Sequence, residues 1–102
     1  MYSIVAEKPG DISVLQKKSI DFSEPKSNEV LIKNRAIGVN FIDIYFRAGL
    51  YPWPVDTDLV LGSEGAGEVE AVGPDVKNFN KGDRVAYAQP NNAYSTHRII
   101  SE

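Results

Sequence analysis

Cysteine is absent from the 102 residues, and histidine, methionine and tryptophan occur once each. Without cysteine there is no disulfide framework, no thiolate zinc site and no cysteine nucleophile. The single histidine, His97, cannot supply a zinc site that needs three or four protein ligands. No apolar run approaches the roughly 20 residues of a membrane-spanning helix. Basic runs and aromatic-spaced Lys/Arg stripes are missing as well, and the net charge is −3, which argues against nucleic acid as a partner. The stretch Met1-Tyr2-Ser3-Ile4-Val5-Ala6-Glu7-Lys8 lacks the basic start and apolar core of a signal peptide. From these absences we expect a soluble, cytoplasmic protein that contacts neither nucleic acid nor membrane.

What is present reads as one small globular domain, 42% hydrophobic and 25% charged, with no internal repeat. A single stretch reads as helix, Phe41 to Ala48. Asn40 has the N-cap residue type, and Asp43 falls where a capping-box acid reaches back to the cap N–H. Arg47 follows Asp43 at i,i+4, so the two are expected to pair on one face. Gly49 stands where a left-handed residue closes the last turn. At about eight residues the helix is too short to persist without packing partners.

The rest reads as strand and turn. Tyr2–Ala6 is rich in β-formers and ends at Pro9-Gly10-Asp11. Ile12–Leu15 and Ser19–Phe22 are expected as a second strand region, interrupted by a solvated Gln16-Lys17-Lys18. Val30–Val39 is expected as a strand with Val30, Ile32 and Ala36 on one face and Lys33 and Arg35 on the other. Pro52-Trp53-Pro54 cannot continue a helix, and Val55–Leu61 reads as a loop with a short extended piece. Gly67, Val69 and Ala71 alternate with Glu68 and Glu70, which is strand periodicity with an acidic wet face. Arg84–Ala88 and Ala93–Ile100 complete the set. Short strands with turns every eight to twelve residues or so imply a mainly β domain, barrel or sandwich, with one small helix.

Few motifs carry chemistry. Gly62-x-x-Gly65-x-Gly67 is no dinucleotide fingerprint, because a further glycine would be needed at Glu70 and the segment continues into a strand instead of opening a helix. Its glycines are expected to allow close backbone approach or a bulge. No Gly-x-Ser-x-Gly elbow supports a serine triad with His97, which reads as a strand histidine with ordinary polar contacts. Asp43 and Glu64 read as cap or turn ligands in preference to an acid/base pair. Phe41 and Tyr45 share a helical face, which fits core packing. The second reading is that a tyrosine hydroxyl beside a flat apolar wall would suit a planar ligand with carbonyl oxygens.

Three segments resemble the quinone oxidoreductase (zeta-crystallin-like) branch of the medium-chain dehydrogenases/reductases. They are Gly38-Val39-Asn40-Phe41-Ile42-Asp43 with Arg47-Ala48-Gly49-Leu50-Tyr51-Pro52, then Leu61-Gly62-Ser63-Glu64-Gly65-Ala66-Gly67, then Phe79-Asn80-Lys81-Gly82-Asp83-Arg84-Val85-Ala86. The resemblance implies a GroES-like irregular β-barrel over residues 1–102, the N-terminal part of a catalytic domain and incomplete relative to full-length members. It also implies that the Rossmann domain holding most of the NADPH is not among these residues. Zinc alcohol dehydrogenases carry cysteine where Asn40 stands and histidine where Ser63 stands, so the zinc-free branch is implied. By the same resemblance Asn40, Ile42 and Asp43 line the nicotinamide end of a cleft, and Tyr45 and Tyr51 position a quinone or similar small carbonyl acceptor. The function implied is NADPH-dependent quinone reduction, with this fragment inactive alone. Enone or enoyl reduction, or a non-enzymatic GroES-like binding or assembly module, are the alternatives. Uncovered strand edges or apolar surface lead us to expect a homodimer or other self-association.

Overall fold

In a computed structural model that describes all residues from Met1 to Glu102, seven strands form two antiparallel sheets. The strands are β1 (Tyr2–Ala6), β2 (Leu15–Ser19), β3 (Glu29–Ile37), β4 (Leu59–Val60), β5 (Glu64–Val72), β6 (Arg84–Ala88) and β7 (His97–Ser101), with one α-helix, α1 (Phe41–Arg47), between β3 and β4. One sheet has the order β2-β1-β4 and the other β6-β5-β3-β7. The mainly β class with a single short helix is as expected; the strands do not close into a barrel.

The core follows from alternation on β3 and β5. Val30 and Ile32 pair with Val72 and Val69, and Val30, Ile32 and Val69 bury a cluster flanked by Val76, Phe79, Val85, Tyr87 and Ile100. A second buried set, Val5, Ala6, Leu59, Leu61 and Ala93, lies where the small sheet meets the loops. No helix of the structure is long and apolar enough to cross a membrane.

Four local expectations need correction. Gln16-Lys17-Lys18 is the middle of β2, not an interruption, and Ile12–Val14 is a 3-10 turn capped by Asp11, which accepts from the Ser13 N–H. This polar strand is held by its ladder to β1; Lys17 covers the Tyr2 ring at 4.2 Å and Lys18 reaches Asp58 at 3.0 Å. Ser19–Phe22 is accordingly strand only at Ser19. Ala36 does not share the buried face of Val30 and Ile32, because the β3–β5 register skips Arg35 between Asn34 and Ala36. Such a bulge turns every later side chain to the opposite face, and Ala36 is exposed. Finally, Ala93–Ser95 is not part of β7: Asn91 and Asn92 take left-handed backbone (φ 67° and 75°), and Ser95 makes only an isolated bridge to Ser3.

Candidate functional site

The helix is fixed at both ends. Asn40 enters in extended backbone (φ −129°, ψ 157°), and Asp43 Oδ2 accepts from the Asn40 N–H at 3.0 Å. At the other end Gly49 adopts φ +84°, its N–H reaches the Phe46 carbonyl, and the Leu50 N–H reaches the Tyr45 carbonyl. These are the two bonds of a Schellman motif, which only a residue tolerant of positive φ closes cheaply. The Trp53 indole N–H also donates to the Phe46 carbonyl at 2.6 Å, and the Gly10 N–H takes the Arg47 carbonyl at 2.9 Å. Every late carbonyl of a seven-residue helix is therefore occupied, which compensates for a length that is marginal in isolation.

The expected Asp43–Arg47 pair does not form. Asp43 is only 3% exposed, and its Oδ2 accepts a second hydrogen bond, from the Tyr94 hydroxyl at 2.7 Å. Arg47 turns away and donates from Nε to the Gly10 carbonyl at 3.2 Å. A surface i,i+4 pair is worth only a few tenths of a kcal/mol, about 0.2–0.5, so a buried hydrogen bond to a carboxylate outweighs it.

Tyr94 is the site residue that sequence reasoning missed. No local pattern links positions 43 and 94. The ring packs on Gly62, whose φ of +95° already requires glycine, while the Tyr94 N–H holds the Leu61 carbonyl at 2.8 Å. Burial, reinforced by the Asp43 hydrogen bond and charge, pushes the Tyr94 phenol well above the usual tyrosine range. It is thus a fixed neutral donor. A folded pKa above the unfolded one contributes stability that is complete below the ordinary value of 10.0 and declines as pH rises beyond it. Tyr94→Phe is expected to cost about 2 kcal/mol at neutral pH, and the gap to the parent to narrow above pH ~10; urea titrations from pH 8 to about 11.5 measure it. A gap that stays constant or widens would contradict this role.

The remaining expected site residues sort by exposure. Asn40 is exposed and Ile42 half-buried. Tyr45 and Tyr51 meet edge to face, centroids 6.0 Å apart at 84°, and Tyr51 stacks similarly on Phe46 at 5.4 Å. They are 39% and 43% exposed, and Phe41 is 76% exposed, so the Phe41/Tyr45 face is a surface and not core. Neither Tyr45 nor Tyr51 hydroxyl appears in any hydrogen bond of the fold, in contrast to those of Tyr87 and Tyr94. Beyond Tyr94 an open cleft of 430 Å³ runs between Tyr2, Ile4, Ile37 and Val39.

Other candidates separate from this place. Glu64 lies with its side chain against Gly38, and no hydrogen bond joins it to Asp43. His97 is buried, its Nε2 3.1 Å from Glu70 and its Nδ1 3.0 Å from Thr96 Oγ1, an ordinary set of polar contacts. Ser63 sits beside Gly62, its carbonyl taking the Gln89 N–H at 2.7 Å. Ser63 Oγ and Asp43 Oδ1 are both buried without a partner.

An irregular pair of antiparallel sheets presenting one capped helix defines the class. Residues 26–99 match the alcohol dehydrogenase GroES-like domain, and the chain belongs to that family. It is 53% identical over 94 residues to a quinone oxidoreductase of Pseudomonas aeruginosa, covering 91% of this chain and 29% of that protein. The crystal structure of Pseudomonas syringae quinone oxidoreductase superposes with TM-score 0.93 at 44% identity, covering 99% of this chain and 31% of that one. Escherichia coli quinone oxidoreductase complexed with NADPH gives TM-score 0.91 at 44% identity over 98% of this chain and 31% of that one. The chain spans less than a third of the length of these relatives.

Proposed function

We propose that these residues form the acceptor-side wall of an NADPH-dependent quinone oxidoreductase, the N-terminal part of its catalytic domain. The observation that carries this reading is the Tyr45–Tyr51 pair: two exposed rings with free hydroxyls, one on a helix locked at both ends and the other on the segment just after its glycine stop. A planar acceptor with two carbonyl oxygens suits such a surface, since the rings offer apolar faces and the hydroxyls offer donors. NADPH, held in its larger part by a Rossmann domain outside these residues, supplies the reducing electrons when bound. Toward it, Asn40 and Ile42 offer a wall, and Asp43 Oδ1, buried without a partner, is an acceptor that the N–H of a nicotinamide carboxamide fits. Tyr94 and the cap hold that carboxylate in place, so the contribution of this chain is orientation.

The donor set also favours the zinc-free reading. Asn40 and Ser63 are poor zinc ligands beside thiolate and imidazole, and His97 is committed to Glu70 and Thr96. A cytoplasmic location belongs to the same proposal, as the compartment in which NADPH is available.

The test uses this chain joined to the remaining part of the P. aeruginosa relative, in place of the 29% it matches. The double variant Tyr45→Phe/Tyr51→Phe is expected to raise the benzoquinone KM about tenfold, the worth of roughly one lost hydrogen bond of ~1.4 kcal/mol. The KM for NADPH should stay within about twofold. An unchanged quinone KM would remove the tyrosine pair from the reading.

A further inference from the structure

β6 closes one end of the larger sheet, with β5 as its only neighbour. Just outside its two ends, the Asp83 carbonyl accepts from the Val69 N–H at 2.9 Å and the Gln89 N–H donates to the Ser63 carbonyl at 2.7 Å. Antiparallel ladders alternate, so Asp83, Val85, Tyr87 and Gln89 bond towards β5, and the N–H and C=O groups of Arg84, Ala86 and Ala88 point outward. All three of these residues are exposed, and no backbone hydrogen bond outside the ladder to β5 engages them. The charges on this edge are unmatched as well. Arg84 stands opposite Glu68 in the register, but that carboxylate is taken by Arg35 at 3.3 Å, and Arg84 enters no ion pair of the fold. Glu64, opposite Ala88 at the other end of the same face, is exposed and equally unpaired, its carboxylate resting against Gly38.

We propose that β6 pairs antiparallel with β6 of a second copy of this chain, about a two-fold axis through Ala86. Ala86 then faces Ala86, Arg84 faces Ala88 of the second copy, and each outward N–H meets an outward carbonyl. Alanine at the centre and opposite each arginine leaves room for the strands to close. Beyond Ala88 of the second copy lies its Glu64, two strand spacings from Arg84, about 9.6 Å between backbones. An extended arginine and a glutamate turned away from Gly38 span that gap together, and the two-fold axis makes the contact twice. On the other face Val85 stands beside Tyr87 of the second copy, a β-branched and aromatic cross-strand pair. The other edges lack this match. β4 has two residues; β2 carries Lys17 and Lys18, and lysine on an edge opposes pairing with its own kind. Beside β7, Glu29 is held by the Lys26 N–H and His97 by Glu70. One short strand pair covers little area, so the association is weak, with Kd about 0.1 mM. The contact involves neither the tyrosine pair nor the redox reading.

The test is sedimentation equilibrium of the 102-residue chain together with amide exchange read residue by residue, each from about 20 µM to about 1 mM. The weight-average mass is expected to rise towards twice that of one chain. Exchange at the Arg84, Ala86 and Ala88 N–H groups should slow about fourfold over this range, with no change at His97, Ile99 and Ser101, the outward amides of β7. Arg84→Glu and Glu64→Arg each turn two attractive contacts into repulsive ones and should weaken association about tenfold. The double variant Arg84→Glu/Glu64→Arg should return to within about threefold of the parent. The proposal is overturned if the chain stays monomeric at about 1 mM, if the slowed amides are those of β7, or if the double variant associates no better than the single ones. It is also overturned if an unrelated extended peptide slows the β6 amides while the chain itself stays monomeric, which would make a foreign strand the occupant. The parent's amides decide the matter even if a charge-reversed variant does not fold.

Discussion

Replacing Asp43 with alanine is expected to lower the unfolding free energy by about 3 kcal/mol, two hydrogen bonds to a carboxylate less the relief of one buried charge. The Asn40 N–H loses its acceptor, and the Tyr94 hydroxyl loses the partner it holds at 2.7 Å. The offset arises because Asp43 Oδ1 has no partner in the fold, so the carboxylate is not fully compensated. Asp43→Asn keeps the shape and one acceptor and should lose about half as much. The helix responds beyond the global loss: with its first turn uncapped, seven residues cannot sustain themselves. Amide exchange at Ile44–Ala48 should accelerate more than that of β3. Urea denaturation gives the first quantity and exchange the second; a loss under about 0.5 kcal/mol for Asp43→Ala would remove Asp43 as the anchor.

Gly67→Ala is expected to cost a further-reaching 3 kcal/mol or so, with Gly67→Val at least as damaging. Intrinsic strand preference predicts the reverse, since valine fits a strand better than glycine by up to ~1 kcal/mol. The geometry decides against propensity. A Cβ at Gly67 would stand 2.8 Å from the Lys33 carbonyl carbon and 3.0 Å from Asn34 Cα. Those are backbone atoms in the middle of the β3–β5 ladder, where Asn34 pairs with Gly67, so relief requires moving a central strand. The clash comes from the first carbon added, which is why alanine should already show most of the loss. Stability within about 0.5 kcal/mol of the parent would show that β3 yields without cost.

These two sites also show what could be read from the residues. The helix was legible because its signals are local: a cap type, an acid three residues on, a glycine at the stop. The glycine-rich segment was legible as packing, and Gly67 under the Lys33 carbonyl bears that out. Pairing of Asp43 with Arg47 failed because a local rule worth a few tenths of a kcal/mol, about 0.2–0.5, was overridden by a residue 51 positions away. The Phe41/Tyr45 spacing marks a helical face but cannot say whether that face meets core or solvent, and it meets solvent. Ala36 was misassigned because a single skipped residue, Arg35, inverts the alternation on which the reading relied. β2 escaped because its polar residues are ordered by a ladder to β1 and by Asp58, contacts invisible in a window of sequence.

Arg98 belongs to the same group. In the sequence it is one more basic residue on a strand; its burial over Tyr87 and its two bonds to Gln89 are set by strand packing, which a window of sequence does not display.

The division of labour proposed for the tyrosine face has a direct check in NADPH oxidation with benzoquinone. The expected result is turnover indistinguishable from the protein-free rate for the 102-residue chain, and clear turnover once it is joined to the remaining part of the P. aeruginosa relative, of which it matches 29%. Robust NADPH-dependent turnover by the 102 residues alone would contradict it.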